Sequence, residues 1–298
     1  MLTVKIGGAQ WAWDDGRTIA MFVVFGVVTI AFAVQQTFSI FTTEEHRLFP
    51  IDFLRRRTLV LLYISTAAGA TSLFISVYYI PLFFAFAKGD SGVMSAVRLL
   101  PFICITIFAS LFNGGLMPKF GVYMPWYVVS ASFALIGGAL MYSLVDISTS
   151  NSTIYGFSIL VAIGAGLTQQ SAYSIAPAKV EPHRVPDAVG FINTAQISGI
   201  VFALTITSTV FQNIGFQHLR SALAGLGFTP EELRAALAGA KSTVFITAPD
   251  SAKLAAIEGI IKAINDGYIL VITAGAVSLV CALLMKREKL FMEAGASG

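Results

Sequence analysis

Charged residues are scarce in this sequence. Asp, Glu, Lys and Arg make up 12% of the 298 residues, whereas soluble domains carry about 25%. Hydrophobic residues account for 56% and the mean hydropathy is +0.79, so most of the chain cannot face water. The net charge of +3 is too small to indicate a nucleic-acid partner.

Residues that build disulfides, metal sites and catalytic centres are also rare. The two cysteines, Cys104 and Cys281, lie inside apolar runs, and the three histidines are scattered through polar linkers without ligand spacing. Such cysteines are typical of small buried or lipid-facing residues. Because no nucleophile–base set or metal spacing is present, we expect no enzyme, no catalytic residues, no metal site and no cofactor.

Long apolar runs are what the sequence has in abundance. Crossing a bilayer takes about 20 mostly apolar residues, and seven segments are long enough: 18–41, 58–81, 92–116, 122–145, 152–176, 188–213 and 266–285. Apart from Arg98 and Asp266, the first residue of the last segment, none contains Asp, Glu, Lys or Arg. Hydrocarbon permits only helices or closed barrels, and barrel strands are short with alternating polarity. The sequence therefore predicts an all-α, multi-pass membrane protein with seven transmembrane helices.

The basic residues predict the orientation in the bilayer. Most of those in short loops fall on one side, in the linkers 42–57 and 177–187, the turn 117–121 and the C-terminal tail. The positive-inside rule makes that side cytoplasmic. The predicted organisation is an outer-side N-terminal remnant (1–17), a linker transmembrane helix (18–41), a cytoplasmic linker (42–57), five transmembrane helices (58–213), an extracellular loop (214–265), a last transmembrane helix (266–285) and a cytoplasmic tail (286–298).

The long loop 214–265 has the pattern of soluble helices. Thr229 followed by Pro230 and two acidic residues is typical of a helix start. Apolar residues recur near helical spacing at Leu254, Ile257 and Ile264. We expect short amphipathic helices that form a structural lid, with a substrate vestibule as the alternative.

Several short motifs occur in a fixed order along the chain. They are Tyr78, Tyr79, Ile80 and Pro81; Ser91, Gly92 and Val93; Arg98, Leu99, Leu100 and Pro101; Gly115, Leu116, Lys119 and Gly121; and Gly164, Gly166 and Gln169. Together they resemble the major facilitator superfamily, specifically its fourteen-helix drug:proton antiporter branch of fungi. The start of the chain resembles the linker helices of that branch.

The resemblance implies a fold and an activity. The chain would supply the second linker helix and the six-helix C-terminal half. The N-terminal half, which in the family carries a Gly-x-x-x-Asp-Arg loop, a Gly-Pro antiporter helix and most proton-coupling acids, would be missing or supplied by a partner. The implied function is proton-coupled efflux of small hydrophobic or amphipathic drugs or toxic metabolites, across the plasma membrane or alternatively the vacuolar membrane.

Two other interpretations fit parts of the sequence. A non-functional transporter fragment has the same helices. A seven-helix receptor has the same helix count and orientation, but the sequence has no Asp-Arg-Tyr after the third helix, no Asn-Pro-x-x-Tyr at the end of the seventh and no cysteine pair in the outer loops.

Polar side chains deep in apolar segments are the candidate site residues, because they are costly in lipid. The candidates for substrate or cavity contact are Arg98, Gln169, Gln170, Asn193, Gln196, Tyr78 and Tyr79. The alternatives are interhelical hydrogen bonding for the amides and an interfacial aromatic belt for the tyrosines. Arg98 is expected in the outer third of its helix, either as an interfacial anchor or facing the cavity.

Two further groups of residues complete the expectations. Gly115, Lys119 and Gly121 resemble the family's turn motif between two helices at the cytoplasmic side. Asn151 begins an Asn-Ser-Thr glycosylation pattern on the expected outer side.

Overall fold

The computed structural model describes residues 15–38, 49–237, 239 and 242–288 as an all-helical chain. Most of the predicted N-terminal remnant, part of the linker 42–57 and the end of the tail lie outside the described residues.

The described residues contain twelve α-helices. Their bounds are α1 Gly16–Phe38, α2 Arg57–Ala87, α3 Gly92–Val97, α4 Leu100–Phe120, α5 Met124–Ser143, α6 Asn151–Thr168, α7 Ala172–Ile175, α8 Val185–Ala222, α9 Pro230–Ala236, α10 Thr243–Thr247, α11 Asp250–Gly267 and α12 Ile269–Leu284. Short 3₁₀ turns span Ile51–Arg55, Pro177–Lys179 and Pro182–Arg184.

Within the described residues, seven helical spans are long and apolar enough to cross a membrane. Three of them consist of two helices separated by a turn: α3 with α4, α6 with α7, and α11 with α12. The predicted all-α class and the predicted seven spans are confirmed.

The bundle has two distinct ends. The loop end carries residues 88–91, 144–150, 223–237, 239 and 242–268, and the basic end carries residues 49–56, 121–123, 169–184 and 285–288. Helix α2 has 31 residues and α8 has 38, so at 1.5 Å per residue they are about 46 and 57 Å long, against about 30 Å for the hydrocarbon core. Both helices continue past their expected ends at the loop end, α8 as far as Ala222.

The loop-end parts of α2 and α8 carry a hydrophobic core that begins inside the expected membrane segments and continues beyond them. Helix α11 packs along α8 and α2, and the residues buried there are Tyr79, Phe83, Phe211, Leu219, Ile260 and Ile264. Helix α9 begins with a capping box between Thr229 and Glu232, and the Thr229 backbone N–H lowers the pKa of the Glu232 carboxyl. Helices α9 to α11 thus form a packed cap over the loop end.

Close helix contacts inside the bundle depend on small residues. A Cβ added at Gly199 of α8 would collide with the backbone of Ala67 on α2. A Cβ added at Gly164 of α6 would collide with the backbone of Ala134 on α5. Small residues allow such backbone approach where no hydrophobic effect drives the helices together.

Helix α1 stands apart from the six-helix bundle. Most of its described side chains are exposed, and its clearest attachment is at the basic end. There Gln36 is buried, and its Oε1 accepts a hydrogen bond of 2.9 Å from the backbone N–H of Phe49. The ring of Phe49 in turn packs on Tyr63 and Phe191.

Candidate substrate-binding face

A hydrogen-bonded group of polar side chains lies on the bundle surface near the basic end. Tyr173 of α7 points its hydroxyl at two amide oxygens of α8, Gln196 Oε1 at 2.6 Å and Asn193 Oδ1 at 3.3 Å. Asn193 is exposed and Gln196 is half-buried. Because Tyr173 has one hydroxyl proton and two acceptors, the group can exchange this bond for one to a bound molecule.

Asn193 and Gln196 meet because they lie three residues apart on one helix face. Tyr173 reaches them because the chain turns between α6 and α7. Ser171 lies in that turn, and its Oγ donates a hydrogen bond of 3.4 Å to the Leu167 carbonyl oxygen. A side chain inserted into the helix ladder is an ordinary cause of such a break.

The same turn gives neighbouring glutamines opposite environments. Gln170 is exposed, whereas Gln169 points into the bundle with 6% of its surface exposed. The Gln169 Oε1 lies beside Gly69 of α2, within 3.4 Å of where a Cβ would stand. Among the described residues neither Gln169 Oε1 nor Nε2 has a hydrogen-bond partner.

Asn113 of α4 is a second buried amide near Gln169. It is 1% exposed, its Oδ1 lies 3.4 Å from Ser171 Oγ, and its Nδ2 has no hydrogen-bond partner in the described part of the chain. Buried amides without partners are rare in folded proteins. The region around the α6–α7 break therefore contains amide donors and acceptors that form no hydrogen bonds within the described bundle.

Arg98 lies in the turn between α3 and α4, and its charge is paired there. Its Nε donates to Asp90 Oδ2 at 2.8 Å and its Nη1 donates to Tyr155 Oη at 3.3 Å. The guanidinium also lies 5.0 Å from the ring centre of Phe84. The arginine and Asp90 side chains are 25% and 15% exposed, so within the described residues Arg98 joins three elements at the loop end.

The two tyrosines of α2 differ in exposure. Tyr78 is 38% exposed, whereas Tyr79 is fully buried and its hydroxyl donates to the Thr207 carbonyl oxygen at 3.1 Å. Tyr79 also packs on Tyr268 and against Gly267, where a Cβ would collide with its ring. Tyr79 therefore ties α2 and α8 to the junction between α11 and α12 instead of lying at the protein surface.

The turn motif lies at the basic end, with Gly121 buried. Gly121 follows α4 with φ +69°, and its N–H donates to the Met117 carbonyl oxygen at 3.0 Å, which is a left-handed helix end favoured by glycine. Gly115 and Lys119 are exposed. At the loop end, Asn151 is the first residue of α6, after the N-cap Ser150.

An apolar pocket lies between α4 and α5, apart from the polar face. Its volume is about 600 Å³, and its lining residues are Phe112, Leu116, Phe120, Val122, Pro125, Trp126 and Val129. Ligand sites combine apolar walls with a few polar anchors. This lining supplies walls without anchors, so the polar face near α7 is the better candidate for specific binding.

Sequence reasoning missed the partners that complete these groups. Asp90, eight residues before Arg98, was not among the candidate residues, and neither were Tyr155 and Tyr173. Asp90 had a detectable signal, because it is the acidic residue in the short loop preceding the helix that contains Arg98. Tyr155 had none, because it is distant in sequence.

Comparison with known proteins gives the same class as the geometry, a multi-pass membrane protein built as a helical bundle. The sequence profile described as Major Facilitator Superfamily matches residues 6–204. An MFS-type transporter, patC, from Penicillium expansum is 44% identical over 97% of this chain and 53% of its own length. An efflux pump, also patC, from Aspergillus clavatus is 43% identical over 96% of this chain and 52% of its own.

The chain belongs to the major facilitator superfamily. This is a family of membrane transporters, so the receptor interpretation is wrong and the expectation that the chain is not an enzyme is confirmed. The chain spans about half the length of the relatives it matches, including efflux pump alnA of Emericella nidulans, at 38% identity over 100% of this chain and 54% of its own length.

Proposed function

We propose that this chain forms one half of a proton-coupled exporter of small hydrophobic or amphipathic molecules, drugs or toxic metabolites. The polar group of Tyr173, Asn193 and Gln196 on the bundle surface carries the proposal. Polar side chains within membrane spans are costly towards lipid and normally face protein or a water-filled cavity. A second six-helix bundle facing this group would enclose such a cavity.

The distribution of burial supports a partner bundle. Helices α3 and α4 form the least buried span of the six-helix bundle, and the span containing α8 is the next least buried. Exposed glycines occur on both, at Gly114, Gly115 and Gly190, and small residues favour close helix association. Alternating access requires two halves that move about a site between them.

The acidic residues also fit a two-half protein. Among the described residues, helices α2 to α7 and α12 contain no Asp or Glu, and the acid of α8, Asp187, lies in its first turn. Intramembrane carboxylates are the usual proton carriers of transporters. We therefore place the proton-carrying acid in the other, N-terminal half of the transporter.

Roles follow for the remaining candidate residues. Gln170, Asn193 and Gln196 contact substrate, with Gln169 behind them in the cavity wall. Arg98 closes the loop end through Asp90 and Tyr155. Tyr78 lines the same end, and Tyr79 holds the helices together.

The two ends of the bundle face opposite sides of the membrane in this proposal. The turn with Gly115, Lys119 and Gly121 faces the cytoplasm, and Asn151 is the outer glycosylation candidate. The protein is located in the plasma membrane, with the vacuolar membrane as the alternative.

Complementation tests this function. The chain is expressed in yeast cells lacking their own drug exporters, alone and with the part of the Penicillium expansum relative that it does not match. Efflux of rhodamine 6G is measured before and after a protonophore. We expect no efflux from the chain alone and protonophore-sensitive efflux from the pair. Proton-dependent efflux by the chain alone would overturn the half-transporter assignment, and no efflux from an assembled pair would favour a non-functional fragment.

A pair of variants tests the polar face in the same assay. Asn193→Leu removes an exposed amide of the face, and Asn213→Leu removes a half-buried amide of the same helix near the loop end. We expect the first to lower efflux and the second to leave it unchanged. Equal efflux in both variants contradicts a substrate-contacting role for Asn193.

A further inference from the structure

Five basic side chains lie at the basic end of the bundle, some at the start of α2 and the others just after α12. They are Arg55, Arg56, Arg57, Lys286 and Arg287, here called the basic patch, and all five are exposed. Arg57 Nη2 donates to the Leu284 carbonyl oxygen at 3.0 Å, which brings the start of α2 beside the end of α12. Lys286 and Arg287 follow Leu284 directly.

Two further contacts hold the patch together. Arg56 Nη1 lies 3.4 Å from the Lys179 carbonyl oxygen, and Lys179 Nζ forms a 2.6 Å ion pair with Glu288 Oε1. Residues 55–57, 179 and 286–288 are therefore neighbours, although more than 200 positions separate the first from the last. Arg55, Arg56 and Arg57 form a basic run in the sequence, and the fold brings this run beside the basic residues that follow α12.

The carboxylates near the patch are already engaged. Glu288 pairs with Lys179 and accepts from the Tyr123 hydroxyl at 3.3 Å, and Lys179 lowers the pKa of Glu288 below its usual range. Asp52 is bound by two guanidinium nitrogens of Arg184. Among the described residues, Arg55, Arg57 and Arg287 form no ion pair with a carboxylate, and Lys286 acts on Glu288 only through its charge, because Glu288 is bound to Lys179.

Such a concentration of like charge needs anions. Exposed cations within a Debye length of about 8 Å repel one another, and here they stand where helices leave the bilayer. We propose that the basic patch is a binding site for an anionic phospholipid headgroup of the cytoplasmic leaflet. The exposed side chain of Leu54, beside the patch, would lie against the acyl chains of the bound lipid.

The occupant follows from charge and position. Basic residues beside a transmembrane helix attract anionic lipids, and each contributes separately to binding. Guanidinium groups also bind phosphate through two parallel hydrogen bonds. The lipid would bridge α2 and α12, and this role is independent of any transported substrate.

Lipid nanodiscs containing the full chain test the site. The midpoint of thermal unfolding is measured in phosphatidylcholine alone and with phosphatidylserine added. The double variant R55Q/R287Q removes two patch charges, and the control R220Q/K262Q removes two exposed charges near the loop end. We expect wild type and control to be stabilised by phosphatidylserine, and the patch variant to bind it about 30-fold more weakly, at about fivefold per charge. Equal responses of the two double variants overturn the proposal.

Two further arms keep the test decisive. Inorganic phosphate is added to the phosphatidylcholine nanodiscs, and stabilisation equal to that by phosphatidylserine assigns the patch to a free anion and overturns the lipid site. Native mass spectrometry of the wild-type chain from a mixed-lipid micelle covers the case in which the patch variant does not fold. Preferential retention of phosphatidylserine supports the proposal, and equal retention of phosphatidylcholine contradicts it.

Discussion

Gln169 and Gln170 show how strongly position within a helix break decides the role of a residue. Both have the same side chain, yet one is buried beside Gly69 and the other is exposed. A buried polar group without a partner destabilises the folded state, whereas an exposed one does not. The buried amide therefore carries a cost that function would explain.

A substitution at each glutamine measures that cost. Gln169→Met replaces the amide by an apolar chain of similar shape, and we expect the free energy of unfolding to rise by about 1 kcal/mol. Gln170→Met, the matched control, should change it by less than about 0.5 kcal/mol. Chemical denaturation in detergent micelles, followed by circular dichroism, gives both values. A loss of stability in Gln169→Met would show that the amide is satisfied in the folded protein.

Arg98 shows how an apolar segment accommodates a charged side chain. Its position in an apolar run predicts an outer location, and the structure adds the partners Asp90, Tyr155 and Phe84. A guanidinium can donate to a carboxylate and a hydroxyl at once because its donors are fixed in a fork. The charge is accommodated by a local network instead of by contact with lipid headgroups alone.

At the scale of elements, the helix contacts depend on close backbone approach. Helix α8 meets α2 at Gly199, and Thr71 Oγ1 lies 3.3 Å from the Gly199 carbonyl oxygen. Gly190, on the same helix, has no atom within 4 Å of a built Cβ. Substitutions at these two glycines therefore distinguish the effect of helix packing from that of helix propensity.

Alanine at each glycine gives opposite expectations. Gly199→Ala should lower the free energy of unfolding by about 1–3 kcal/mol, because the added methyl group forces α2 and α8 apart. Gly190→Ala should raise it by up to about 1 kcal/mol, because alanine has the higher helix propensity. Unfolding in a denaturing detergent series measures both. A neutral Gly199→Ala would mean that α8 shifts freely against α2.

At the scale of the whole molecule, the exposed side of α4 is the main surface that needs a covering partner. Cys104 lies on α4 and is exposed, whereas Cys281 of α12 is buried. The cysteines therefore report on burial of two different helices without any engineered label.

Maleimide labelling of these native thiols tests the assembly. In the chain alone, a lipid-permeant maleimide should label Cys104 several-fold faster than Cys281, with Cys104→Ser identifying the site by mass spectrometry. With the complementary half present, labelling of Cys104 should slow because α4 becomes covered. Restored efflux with unchanged labelling of Cys104 would place the partner bundle elsewhere.

The sequence by itself determined the solvent, the helix count and the family. Long apolar runs can cross a bilayer only as helices, so hydropathy is sufficient to predict seven spans. Ordered motifs such as Arg98–Pro101 were sufficient for the superfamily, which the comparisons confirm. These properties depend on local composition and order, which the chain carries without reference to its packing.

Only the tertiary structure decided which polar residues meet. Gln169 and Gln170 are indistinguishable by hydropathy, and the environment of each depends on how α6 breaks against α2 and α4. Arg57 and Leu284 are 227 positions apart in the sequence, and their contact depends on α2 packing against α12. Such contacts arise from close packing between distant segments, whose distances local patterns do not encode.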